Sequence, residues 1–116
     1  MNPRALFIIN SDPRSSPRPG EAVRIATGVG VWKKIDVTIC LCEWAVLALG
    51  EATESLVDGD DLANYWAVIA EWGRPVFLKT GEPLLKNLGQ TPARFERINT
   101  VQLAQLASQS DYVLRF

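Results

Sequence analysis

The sequence predicts an α/β fold, a three-layer α/β/α sandwich on a mostly parallel sheet of about five strands. Three observations predict it. The run Ala5-Leu6-Phe7-Ile8-Ile9 is continuously apolar rather than alternating, the pattern of a strand covered on both faces. Asp36-Val37-Thr38-Ile39-Cys40-Leu41-Cys42 is rich in β-branched residues, which favour strands. Between such runs the apolar residues recur at helical spacing over short connections, which implies βαβ units with right-handed crossovers.

Each element follows in order. After the first strand, residues 10–20 hold three prolines, three serines, two arginines and one aspartate, and form a loop. Glu21 to Lys34 is a helix whose buried stripe is Val23, Ala26 and Val29 or Gly30. The strand 36–42 comes next, then a short helix from Trp44 to Leu49 stopped at Gly50. Glu51 to Asp61 carries five acids and no base, so it is expected to be a solvated loop. Leu62, Trp66, Ile69 and Ala70 mark a helix that ends at Gly73, before Pro75. Val76 to Lys79 is a third strand, followed by the turn 80–83 and a short helix to Leu88. Phe95 to Ile98 is a fourth strand. Thr100 caps a helix over 101–108 that buries Leu103, Leu106 and Ala107, and Tyr112 to Phe116 closes the chain as a strand.

Composition narrows the function classes. The 116 residues make one domain, 1–116, large enough to fold without staples. Twelve Lys+Arg against thirteen Asp+Glu leave a net charge of −1, which argues against a general nucleic-acid binder. Histidine is absent, so His-dependent triads, His metal sites and His acid–base chemistry are excluded. No apolar run approaches the roughly twenty residues that cross a bilayer. The two cysteines are too few for a disulfide scaffold and no signal peptide is seen, so a cytoplasmic protein without membrane association is expected.

In open α/β sheets ligands bind beyond the carboxyl ends of the strands, which directs attention to residues 10–18, 42–44 and 79–82. Asn10, Ser11 and Asp12 leave the first strand, with Arg14 and Arg18 as anion donors. The plainer reading is that Ser, Asp and Pro shape a turn there. No phosphate loop or dinucleotide fingerprint is present, since Gly20 stands without a following Lys-Ser or Lys-Thr and Gly28-Val29-Gly30 lacks a third glycine. Residues 58–61 lack the central glycine and closing glutamate of a calcium loop. No cofactor or metal is expected.

Cys40 and Cys42 point to the same face of their strand, at a spacing that fits neither zinc ribbons nor CxxC redox sites. Cys40 reads as a small core hydrophobe. Cys42, nearer the strand's carboxyl end, is the better candidate for an exposed thiol; Lys79 would lower its pKa and Glu43 would raise it. Trp66 and Trp72 lie about 600° apart on an ideal wheel, so core packing of both stands beside a role for one at a subunit interface.

The ordered segments Asn10-Ser11-Asp12-Pro13, Glu21 to Ala26, Val37 to Cys42, Trp44 to Leu49, Thr100 to Leu106 and Ser110 to Leu114 together resemble the DsrE/DsrF-like family, which includes the DsrE and TusD sulfur-relay subunits. The resemblance covers nearly the whole chain through soft hydrophobic patterns. It implies a small α/β fold that assembles, often as trimers or hexamers, into homo-oligomers or hetero-oligomers with related subunits. It also implies that active members carry a persulfide on a cysteine after the third strand, in the stretch corresponding to Lys79-Thr80-Gly81, where this chain has none. Relatives without that cysteine serve as structural partners. The expected function is therefore a non-catalytic DsrE-like subunit that binds a partner protein or small ligand through Asn10, Ser11, Asp12, Glu43, Lys79 and Thr80. The alternative is a sulfur carrier using Cys42, with Cys40 as a resolving thiol. An acid–base enzyme built on Asp12, Glu43 and Glu82 is a third class with little to specify it.

Overall fold

The computed structural model describes residues 2–116. Five strands form one sheet in the order β4-β3-β2-β1-β5, every neighbouring pair parallel. They are β1 (Arg4–Ile9), β2 (Asp36–Cys42), β3 (Val76–Lys79), β4 (Phe95–Arg97) and β5 (Tyr112–Arg115). The helices are α1 (Arg18–Val31), α2 (Gly59–Ala70), α3 (Glu82–Lys86) and α4 (Thr100–Ser108), with a 3₁₀ segment, Glu43–Leu49, directly after β2. The expected α/β/α sandwich is the observed one.

Alternation along the central strands divides the core in two. Ala5, Phe7, Ile9, Ile39 and Leu41 meet α1, α2 and the 3₁₀ segment through Val23, Val46, Leu62 and Trp66. Leu6, Ile8, Cys40 and Cys42 point the other way and meet Ile98 and α4, through Leu103, Leu106 and Ala107. Both faces of β1 and β2 are therefore covered, which is why these strands read as continuous apolar runs. The cover is unequal. Four helical elements lie on the first face, whereas α4 alone contributes to the second, and none of its residues is fully buried.

Local chemistry moves several boundaries away from those expected. Helix α1 begins at Arg18 rather than Glu21, because Pro19 sits in its first turn, where a missing N–H costs nothing. It ends at Val31, and Lys33 takes a left-handed φ of 63°. Gly30 weakens the helix by propensity, but a Cβ there would collide with the ring of Trp72. The glycine is what lets α2's end lie against α1. Trp66 is fully buried and donates Nε1–H to the Ala48 carbonyl at 2.8 Å, while Trp72 is partly buried against the same core. Ala70 is exposed rather than part of the buried stripe. The acidic stretch is not all loop: Asp58 precedes α2, and Asp60 and Asp61 fill its first turn, where carboxylates suit the helix dipole.

At α4 the cap is Asn99, not Thr100. The Asn99 side chain accepts from the Gln102 N–H at 2.8 Å, and the Gln102 side chain accepts from the Asn99 N–H at 2.8 Å. That reciprocal box satisfies two otherwise orphaned donors. Leu103, Leu106 and Ala107 are packed against the core but only partly buried.

Candidate functional site at the strand ends

The carboxyl ends of β2, β3 and β4 and the amino end of α4 enclose a cleft of about 510 Å³. Each wall comes from one chain reversal. Glu43 leaves β2 with a left-handed φ of 54°, a costly conformation for a residue with a Cβ, and this turn places its carboxylate beside Lys79 at 3.5 Å. Lys79 and Thr80 leave β3. Arg97 leaves β4, donates Nε–H to the Thr80 carbonyl at 3.1 Å and reaches Glu82 through Nη1 at 3.4 Å. Asn99 and Gln102 complete the rim.

Electrostatically the cleft combines the ammonium of Lys79, the guanidinium of Arg97 and the positive end of α4 with the Glu43 carboxylate. Glu43 is 59% exposed, so its hold on Lys79 is weak and solvent-screened. Thr80 is different: it is 7% exposed, and its Oγ1 is buried without a hydrogen-bond partner. An unpaired buried hydroxyl costs stability, and such a group is an exception that points to strain or to a missing partner.

Beneath the cleft lie the two thiols. Cys42 pairs in register with Lys79, and Cys40 with Phe77. Cys42, the better candidate of the two for an exposed thiol, is buried. It is 2% exposed and Cys40 is 0%, because the face they share is roofed by Ile98 and α4. Their Sγ atoms stand 3.8 Å apart. The contact with Cys42, together with burial, pushes the Cys40 pKa above the usual thiol range. The same contact pulls Cys42 down against its burial, with Lys79 helping and Glu43 opposing. Those are the signs expected for Lys79 and Glu43 from the sequence.

The structure does not bring all the expected residues together. Asn10 and Ser11 line a separate, shallow depression of about 320 Å³ with Arg18 and Arg115, at the ends of β1 and β5. Asp12 lines neither cavity. Its Oδ1 accepts from the Arg14 N–H at 2.9 Å and its Oδ2 meets the Arg14 guanidinium at 2.7 Å, and the Arg14 side chain holds its carboxyl below the usual range. This is the turn-forming use of aspartate. Arg14 in turn stacks over Trp44 at 4.5 Å, tying the first loop to the 3₁₀ segment. Glu43, Lys79 and Thr80 do converge. Arg97, Asn99 and Gln102 join them, and of these only the pair Asn99 and Gln102, three residues apart before an apolar run, carried a readable signal.

Comparison with solved structures agrees with this architecture. The YchN protein of E. coli superimposes with a TM-score of 0.77 at 20% sequence identity, over 100% of both chains. The fold is that of YchN. YchN has a DsrE/DsrF-like fold, so at this identity the likeness establishes architecture and nothing finer. No family model matches the chain, and no curated protein matches its sequence.

Proposed function

We propose that this chain is a non-catalytic DsrE-like subunit, related to sulfur-relay proteins, that binds a partner protein or small ligand in the cleft between β2, β3, β4 and α4. The buried, unpartnered Thr80 hydroxyl in the wall of that cleft carries the reading. A ligand acceptor or donor atom would supply the partner it lacks once the Thr80 side chain turns into the cleft, since its Oγ1 is closed off as it stands. Lys79, Arg97 and the amino end of α4 favour a small oxyanion or carboxylate over a cation. The family resemblance places a persulfide cysteine after the third strand, and Lys79-Thr80-Gly81 offers no thiol there.

Titrating isotopically labelled protein with thiosulfate, and separately with phosphate and acetate, tests the reading by amide chemical shifts. Saturable shifts clustered on Thr80, Gly81 and Thr100 are expected, and Thr80→Val together with Lys79→Ala should weaken them about tenfold or more. Shifts absent from the cleft, or spread evenly over the surface, would overturn it.

One observation favours a second reading, a sulfur carrier on Cys42: its pKa is lowered by Cys40 and Lys79. In that chemistry the Cys42 thiolate attacks a polysulfide, one S–S bond forms as another breaks, and the shortened polysulfide leaves with the electron pair. Burial of Cys42 stands against it, and Cys42→Ser would abolish sulfur loading while leaving assembly intact.

A further inference from the structure

The two edges of the sheet are unequal. β4 is three residues long and carries Glu96 and Arg97, the short, charged form that discourages edge pairing. β5 reads Tyr112-Val113-Leu114-Arg115, with Tyr112 56% and Val113 39% exposed. An open apolar groove of about 520 Å³ runs beside it, lined by Phe7, Ile25, Val29, Tyr112 and Leu114.

The backbone of β5 divides by parity. Phe116 donates to the Ile8 carbonyl at 2.9 Å and accepts from the Asn10 N–H at 2.8 Å, so alternate residues Leu114 and Tyr112 also face β1, and Val113 and Arg115 turn their N–H and C=O groups to the open edge. Side chains divide the other way: Tyr112 and Leu114 share the face of Ala5 and Phe7, while Val113 and Arg115 share that of Leu6 and Ile8.

We propose that this edge binds a second copy of the chain, antiparallel, about a two-fold axis through Val113. Val113 then exchanges both backbone hydrogen bonds with the partner subunit's Val113. Tyr112 lies opposite the partner subunit's Leu114, and these two pairs cover the groove beside Phe7, Ile25 and Val29. Asp111 lies opposite the partner subunit's Arg115, and Arg115 opposite the partner subunit's Asp111. Asp111 donates its N–H to the Arg4 carbonyl at 2.8 Å and accepts from the Arg4 N–H through one carboxylate oxygen at 2.7 Å, so its backbone donor is spent on β1 and its second oxygen is what remains to meet the incoming guanidinium. A single register thus matches the outward N–H and C=O groups of Val113 and Arg115, the apolar face and the charges, although the Asp111 N–H is kept by β1, and it is self-complementary as a two-fold contact requires. The inference rests on the reading of this chain as a subunit and names an interface for it. β5 is remote from the cleft across β1, so failure of this contact leaves the anion titration unaffected, and failure of the titration leaves this contact standing.

Sedimentation velocity with light scattering, over roughly a hundredfold range of concentration, tests it on three variants. Val113→Pro removes the outward N–H without touching the bonds to β1, and Arg115→Glu sets two carboxylates against each other. Each should weaken the assembly about tenfold or more, with far-UV spectra unchanged. Asp111→Lys should weaken it likewise, and mixing Asp111→Lys with Arg115→Glu should restore a heterodimer, which no merely structural defect would do. Should Val113→Pro fail to fold, the charge pair decides alone. A wild-type chain that stays monomeric throughout, or an assembly untouched by both Arg115→Glu and Asp111→Lys, would overturn the proposal.

Discussion

Cys40 and Cys42 differ by one strand position pair, yet their surroundings give them opposite titration. Folding holds the Cys40 proton on, so the unfolded chain releases it first as pH rises through the ordinary thiol range. The folded state then binds more protons than the unfolded one, and stability falls with rising pH. Cys42 has the depressed pKa, and the stability it contributes is present above its unfolded value and lost as pH falls through the folded one. Above the ordinary thiol range the folded pair keeps a proton that the unfolded chain has lost, so stability should fall more steeply with rising pH than in a chain with both Cys40→Val and Cys42→Val. Urea unfolding of both proteins at several alkaline pH values reads that difference. Thr80→Val gives an independent check. Removing an unpaired buried hydroxyl should leave stability unchanged or raise it by about 1 kcal/mol while anion binding weakens; a drop of that size would mean the hydroxyl has a partner. Neither the burial of Cys42 nor the solitude of Thr80 was legible in the sequence. Both depend on how closely α4 settles over the sheet, which no local pattern encodes.

Among the elements, the strands were read most accurately. Asp36–Cys42 and Val76–Lys79 match their expected bounds residue for residue, because β-branched and apolar runs are cut off sharply by Glu43 and Thr80. The helix starts were read less well. Pro19 inside α1's first turn looks like loop composition, and Asn99 and Thr100 are both good caps, so only the partner three residues on decides between them. Asn99→Ala should therefore cost about 1 kcal/mol, whereas Thr100→Ala should cost little, as denaturant unfolding of the two variants can compare. Helix α4 has no fully buried residue, so the cap matters more there than in α1 or α2. At Gly30 propensity and packing point in opposite directions. Alanine adds up to about 1 kcal/mol of helix propensity, but the Trp72 ring occupies the space, and overpacking of that kind costs about 1–3 kcal/mol. Gly30→Ala should lower the melting temperature; a rise would show that Trp72 is free to move away.

At the scale of the whole molecule, the parallel order β4-β3-β2-β1-β5 puts all five carboxyl ends on one side, and that topology places Glu43, Lys79, Thr80 and Arg97 in one cleft although they span nearly half the chain. The fold class was legible because continuous apolar strands alternating with helices admit few architectures. The division of the strand-end residues was not, because Asn10 and Ser11 sit over β1 and β5 while the cleft opens over β2 to β4, and strand order is a long-range property. The same order leaves β5 as an open apolar edge and gives the molecule a place to meet its copy. What separates a binding subunit from a sulfur carrier is whether the thiols beneath the cleft can be reached. Intact-protein mass spectrometry after brief exposure to polysulfide, with alkylation and peptide mapping of Cys40 and Cys42, measures that directly. Both thiols should remain unmodified until the protein is unfolded; rapid addition of sulfur to Cys42 alone in the folded chain would contradict the account and make this protein a carrier.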